Sequence, residues 1–193
     1  MSDQLIFEPW FGKNYGASSY GRLLIIGESH YTGDEEYTES TDFTSKVVDD
    51  YLNKKNDIRF FRNLGLLFNE QDRYEIWGKV SFANAIQNGL SDAKSQPQTK
   101  DIDTIIPAFW HLLEKTTPER VIICSNRMWT RWMPNSDKRS SPNGHLDENG
   151  KHSTTWNYNY SCGNCSAIGI NHPSSIGFSY SSWRPLVFKF LNS

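Results

Sequence analysis

Three cysteines in 193 residues are too few for a disulfide framework, which sets aside the small disulfide-stapled secreted folds. No apolar run approaches the ~18 residues of a membrane span. The N-terminal stretch MSDQLIFEPW carries neither a basic flank nor a long apolar segment, so no secretory signal is expected. Charge of one sign is also missing: 20 Lys+Arg stand against 22 Asp+Glu, net -2, which excludes a globally basic nucleic-acid coat. No fixed-period repeat is present, which excludes solenoids and propellers. These absences lead to the expectation of a cytoplasmic, monomeric protein, not associated with a membrane, with one domain over residues 1–193.

What the chain does have is aromatic bulk. Its 11 Phe, 9 Tyr and 7 Trp are enough to build a core and exclude intrinsic disorder. The charge is unevenly placed: residues 1–99 hold 10 basic and 15 acidic side chains, and residues 100–193 hold 10 and 7. A phosphate-bearing partner is therefore expected to meet the second half, around Arg120, Arg127, Arg131, Lys138 and Arg139.

Residues 22–27, with four consecutive apolar side chains stopped by Gly27, read as a strand buried on both faces, the kind found in parallel sheets. After a polar, acidic stretch over 28–42, helices are expected at 43–52 and 58–68, with Thr41 or Asp42 as the first cap. Residues 77–86 read as a strand with Val80, Phe82 and Asn84 on one face. A polar loop over 88–100 leads to a helix capped by Asp101 or Asp103 and running to about Lys115. Residues 120–124 form a second buried strand, followed by a short aromatic helix around 128–132. Residues 133–153 lack apolar periodicity and read as a long exposed loop. Segments 154–160 and 165–170 flank the turn residues Cys162-Gly163-Asn164 and read as a hairpin. Ser182 is expected to cap the last helix. Alternating strands and helices imply an α/β fold, a three-layer α/β/α sandwich around a mostly parallel sheet of about four strands.

Ligands in such folds bind outside the carboxyl ends of the strands. The residues expected there are Gly27-Glu28-Ser29-His30-Tyr31, Asn84, Ser125-Asn126-Arg127 and His172-Pro173-Ser174-Ser175. In order along the chain, three of these groups resemble the motifs of the uracil-DNA glycosylase superfamily: a Gly-Glu type motif after the first strand, an Asn on the next, and His-Pro-Ser before an intercalating loop. The first motif lacks the superfamily's proline, with Ser29 and His30 in its place, and Ser175 stands where a second proline is expected after His-Pro-Ser.

The resemblance implies hydrolysis of an N-glycosidic bond, in DNA repair or in defence against foreign DNA, with DNA as partner and no cofactor. Cleavage builds positive charge on the sugar and negative charge on the departing base. Glu28 would orient water toward the sugar and His172 would hydrogen bond to the base. Gly27, Ser29 and Tyr31 would line the base site, Asn84 would read a uracil-like or modified pyrimidine edge, and Phe43 would stack on the flipped base. Ile176 or Phe178 would wedge into the duplex while Ser174 and Ser175 contact phosphates.

Two other classes compete. Leu-Ile-Ile-Gly-Glu-Ser also resembles the nucleophile block of SGNH hydrolases, which makes Ser29 an esterase nucleophile, but position 169 is Gly where that family has an acid. A catalytically silent nucleic-acid-binding module on the same scaffold is the second alternative. No metal site is expected: Cys162 and Cys165 flank a turn, their spacing to Cys124, His145 and His152 is irregular, and three cysteines cannot supply the four ligands of an iron–sulfur cluster.

Overall fold

The computed structural model describes residues 5–31, 40–92 and 95–193, so most of the expected acidic stretch over 28–42 lies outside the described residues. In chain order, the first half contains β1 (Trp10–Phe11), β2 (Leu23–Gly27), α1 (Phe43–Leu52), α2 (Arg59–Phe68), a 3-10 turn (Glu75–Gly78), β3 (Ser81–Asn84) and α3 (Thr99–Ile102). The second half contains α4 (Ile105–Thr116), β4 (Arg120–Ile123), α5 (Asn126–Arg131), β5 (Ser140–Glu148), β6 (Lys151–Tyr160), β7 (Gly163–Gly169) and α6 (Tyr180–Leu191).

All five residues of β2 are buried because both faces of the sheet are covered. Side chains alternate along the strand, so Leu23 and Ile25 enter a core shared with α1, α2 and α6, and Leu24 and Ile26 enter a second core with α4 and α5. The first core is dense in rings: Phe61 lies 4.7 Å from Trp77 and 5.1 Å from Phe82 between centroids, in edge-to-face contact. Fully burying each such side chain contributes about 1.5–3 kcal/mol.

The class is α/β, but the expectation of a mostly parallel sheet of about four strands is overturned by a mixed seven-stranded sheet in the order β1-β3-β2-β4-β7-β6-β5, in which three of the six pairings are antiparallel. The four central strands are parallel, β1 joins β3 antiparallel, and β6 and β5 extend the other edge antiparallel. The long loop expected over 133–153 is mostly strand β5 and the start of β6. β5 lies at the edge, largely exposed, so it shows no apolar alternation; Pro142 and the irregular register between Pro142 and Gly144 are what an edge strand tolerates. Asn149 and Gly150 connect the two strands with φ of +52° and +70°, the conformation of a two-residue type I′ turn. The cap of α6 is Ser179, whose hydroxyl accepts the Ser182 N–H, rather than Ser182 itself.

Pairing registers set the functional edge. Gly27 is level with Asn84, Ile26 with Ile123, and Ile123 with Gly169. The residues that follow, Glu28, Ser125 and His172, therefore leave the sheet on the same side. The chain order of the parallel strands reverses around β2, so the carboxyl-end crevice at this point is where α/β sheets bind ligands.

Candidate active site

A cavity of about 370 Å³ opens at that edge. Glu28, Ser29, His30 and Tyr31 from the β2 exit, Phe82 and Asn84 from β3, and His172 and Ser174 from the β7 exit line it. Val47 and Asp50 of α1, with Asn56, Ile58, Phe60 and Phe61 at the start of α2, form the remaining wall.

Glu28 is buried and held from two sides. Arg127 grips it in a two-pronged contact, Nε to Oε2 at 3.0 Å and Nη2 to Oε1, and the Ser125 hydroxyl donates to Oε2 at 2.6 Å. Burial pushes the Glu28 carboxyl upward, but the hydrogen bonds from Arg127 and Ser125 and the guanidinium charge outweigh it, so the group is held below its usual range. Glu28 is thus a carboxylate at neutral pH. A carboxylate offers about four acceptor positions, and these three bonds leave one, on Oε1. Arg127 is held in turn by Gln96, which accepts from Nη1 at 2.7 Å, and by the Trp132 ring, 5.2 Å away.

His172 lines the same cavity with its ring 5.4 Å from that of Phe60. Its Nδ1 accepts the Ser174 N–H at 3.2 Å, which places the proton of the neutral ring on Nε2 and makes that atom a donor. Burial lowers the imidazole pKa, with Glu28 raising it and Arg127 lowering it again; the net shift is downward. A carboxylate and a neutral N–H donor therefore share one cavity.

Asn84 is buried, and among the described residues its side-chain amide has no hydrogen-bond partner; only its backbone carbonyl is used, by Gln87. A Cβ at position 27 would stand 2.2 Å from Asn84 Oδ1, so glycine there is what lets the amide lie across the end of β2. Among the described residues the buried Ser29 hydroxyl has no partner. Buried polar groups ordinarily find partners. The Ser29 hydroxyl is such an orphan among the described residues, and the Asn84 amide beside it on the cavity wall is open to a ligand.

His30 faces elsewhere in function. It lies edge-on between Phe7 and Phe43, with Nε2 3.0 Å from Thr44 Oγ1, and burial lowers its pKa to about 3. Phe43, expected to stack on a base, is packed into that same cluster and is not part of the cavity wall; the rings on the wall are Phe60, Phe61 and Phe82. Tyr31 sits at the mouth, 46% exposed. In the loop after His172, Ser174 lines the cavity, Ser175 accepts from Arg59 through its carbonyl at 3.4 Å, and Phe178 is buried in the first core. Ile176 is 96% exposed at the tip of that loop. Asn63 holds the loop base by donating to the Pro173 carbonyl at 2.8 Å.

Ser125 and Arg127 lie at the edge expected from the sequence, but Arg127, expected among the cations that meet a phosphate-bearing partner, is instead engaged by Glu28, while Ser125 has no role in that expectation. The available signal was a cation directly after a buried strand, facing the carboxylate that follows the neighbouring one. Phe60 and the polar pair Asp50 and Asn56 carried no signal, because they reach the cavity only through the packing of α1 and α2.

An esterase site needs a serine bonded to its base. Ser29 has no hydrogen bond to either histidine of the cavity in the free protein, so the geometry gives the esterase reading no support. Among the described residues no group of three or more His, Cys, Asp or Glu is arranged to hold a metal ion. Cys162 is exposed, while Cys124 and Cys165 are buried. Among the described residues no helix is long and apolar enough to cross a membrane. No protein-family model and no curated protein matches the chain.

Proposed function

We propose that this chain is a monofunctional DNA N-glycosylase that hydrolyses the bond between deoxyribose and a flipped-out uracil-like or modified pyrimidine, in repair or in defence against foreign DNA. The observation that carries the reading is the Asn84 amide, which has no side-chain hydrogen bond among the described residues, in the same cavity as the Glu28 carboxylate and the neutral His172 donor. An amide offers a donor and an acceptor side by side, the complement of a pyrimidine edge with adjacent C=O and N–H groups.

The roles follow from charge. As the glycosidic bond stretches, the sugar becomes cationic and Glu28 lies ready as the anion, its free acceptor position on Oε1 orienting the attacking water. The departing base becomes anionic, and His172 Nε2–H is a neutral donor for its carbonyl. Phe60 or Phe82 supplies the ring face for stacking. Ile176, exposed at the loop tip, fits the gap left by the flipped nucleotide, and Arg59, exposed and in no ion pair among the described residues, supports contact with backbone phosphate.

The test is incubation of the protein with oligonucleotides bearing a panel of substituted bases, followed by detection of abasic sites and free base. Release that shifts from a uracil-like toward a cytosine-like edge in Asn84→Asp supports the assignment. The engagement of Glu28 by Arg127 and Ser125 favours a second reading, a binding module whose carboxylate is purely structural. DNA binding with no base released from any substrate would establish that alternative.

A further inference from the structure

The cavity is larger than the chemistry at its base requires. At about 370 Å³ it falls within the ~300–1,000 Å³ of pockets that take whole small molecules, and a bare pyrimidine fills only part of it. With the Watson–Crick edge toward Asn84 and the sugar toward Glu28, an orientation that rests on the glycosylase reading, the ring edge left over is the one carrying C5. On the side of α1 the wall is made by Val47, Asp50, Asn56 and Ile58 rather than by Phe43, which is packed away against His30, and Tyr31 stands half-exposed at the mouth.

This outer wall has a defined chemistry. Val47 and Ile58 provide an apolar floor, Phe60 and Phe61 provide ring surface, and Asp50 and Asn56 add a carboxylate and an amide. Asp50 is partly exposed and bonded to Lys55 through Oδ1 at 2.9 Å, which leaves acceptor positions on the carboxylate. A carboxylate here disfavours a DNA phosphate. It favours a group that donates hydrogen bonds, and an acceptor beside an amide and ring surface is suited to a polyol.

We infer that the natural substrate base is a pyrimidine enlarged at C5 by a substituent rich in hydroxyl groups, such as a sugar carried on a hydroxymethyl arm, seated against Asp50 and Asn56. The specificity of the site would then lie on α1 and the start of α2, away from the bond that breaks.

The experiment compares base release from matched oligonucleotides carrying uracil, thymine, 5-hydroxymethyluracil and its O-glucoside. It uses the wild type and an Asp50→Ala/Asn56→Ala double variant, whose two positions are solvent-accessible enough for the fold to survive. Binding of the free glucosylated nucleoside is measured alongside by calorimetry. The expected result is release of the glucosylated base at least about tenfold faster than uracil, with that preference falling about tenfold in the double variant. Uracil released as fast as the glucosylated base, or a double variant that lowers all substrates equally, overturns the inference. If no base is released but the nucleoside binds and the double variant weakens that binding, the glycosylase reading falls while the specificity stands; absence of both release and binding overturns both.

Discussion

Arg127 and Glu28, 99 residues apart, meet at the ends of neighbouring parallel strands, where the guanidinium fork closes on both carboxylate oxygens. The fork fixes the plane of the carboxylate and leaves one acceptor position open toward the cavity. It also offsets the charge that would otherwise draw a proton onto His172, since Glu28 and Arg127 act on that imidazole in opposite directions.

Arg127→Met should therefore disturb two groups. Glu28 loses its main compensation for burial and its pKa rises, and the acid limb of the pH–rate profile moves to higher pH. Base release at neutral pH should fall about tenfold or more. Arg127→Lys should restore only part, because an ammonium cannot grip both oxygens. An acid limb that stays in place would show that the pair is only structural. The readout is the pH dependence of single-turnover release, with the His172 titration followed by NMR.

His30 gives a prediction independent of activity. Its pKa is lowered by burial to about 3 from 6.5, so the unfolded chain binds the proton more readily. Stability from the neutral ring is full above pH 6.5 and is lost as pH falls through the window down to about 3. His172 is shifted in the same direction. Between pH 6.5 and 5, where most carboxylates remain ionised, the His30 contribution approaches ~1.4 kcal/mol per pH unit. His30→Gln should flatten unfolding free energy against pH over that window, measured by urea denaturation at successive pH values. An unchanged slope would remove His30 as the acid-sensitive group.

The parallel centre of the sheet was legible because its strands are uniform apolar runs: Leu23 to Ile26 and Val121 to Ile123 can be little else. The helices at 43–52 and 59–68 were legible from their apolar spacing. The hairpin of β5 and β6 was not, because an edge strand exposed on both faces shows no alternation, and its polar side chains look like loop. Its one signal was Asn149-Gly150, the pair best suited to a type I′ turn, flanked by strand-length segments. At the site, Glu28, Asn84 and His172 could be placed by strand ends alone. Phe43 could not, since helix position does not show which face of α1 meets His30 and which meets the cavity.

Ile176 should matter only where a base stack must be broken. Unstacking costs a few kcal/mol in a duplex and little in a single strand. Ile176→Ala is expected to slow release from paired DNA about tenfold while changing single-strand release less than about twofold. Because the side chain is 96% exposed, the substitution costs no core packing, and thermal stability should not move. Equal losses on both substrates would assign the residue to general DNA contact rather than to a wedge.

The two enzyme readings separate at adjacent residues. Glu28→Gln keeps shape but removes the anion opposite the developing sugar cation, and a preorganised electrostatic interaction of this kind is often worth ~3 kcal/mol, about 100-fold in rate. Ser29→Ala removes a buried hydroxyl that has no partner in the free protein. Deleting an unsatisfied buried polar group is neutral or stabilising, so this variant should unfold at the same or a slightly higher temperature, and losing one neutral hydrogen bond to the ligand should slow base release much less than Glu28→Gln does. An esterase reverses the order: Ser29→Ala would abolish turnover by removing the covalent route, and Glu28→Gln would be the milder change. His172→Ala damages either scheme and does not discriminate. Base release and nitrophenyl-ester hydrolysis are therefore measured side by side on wild type, Glu28→Gln and Ser29→Ala. Ester turnover lost in Ser29→Ala, together with no base release from wild type, is the outcome that would end the glycosylase reading.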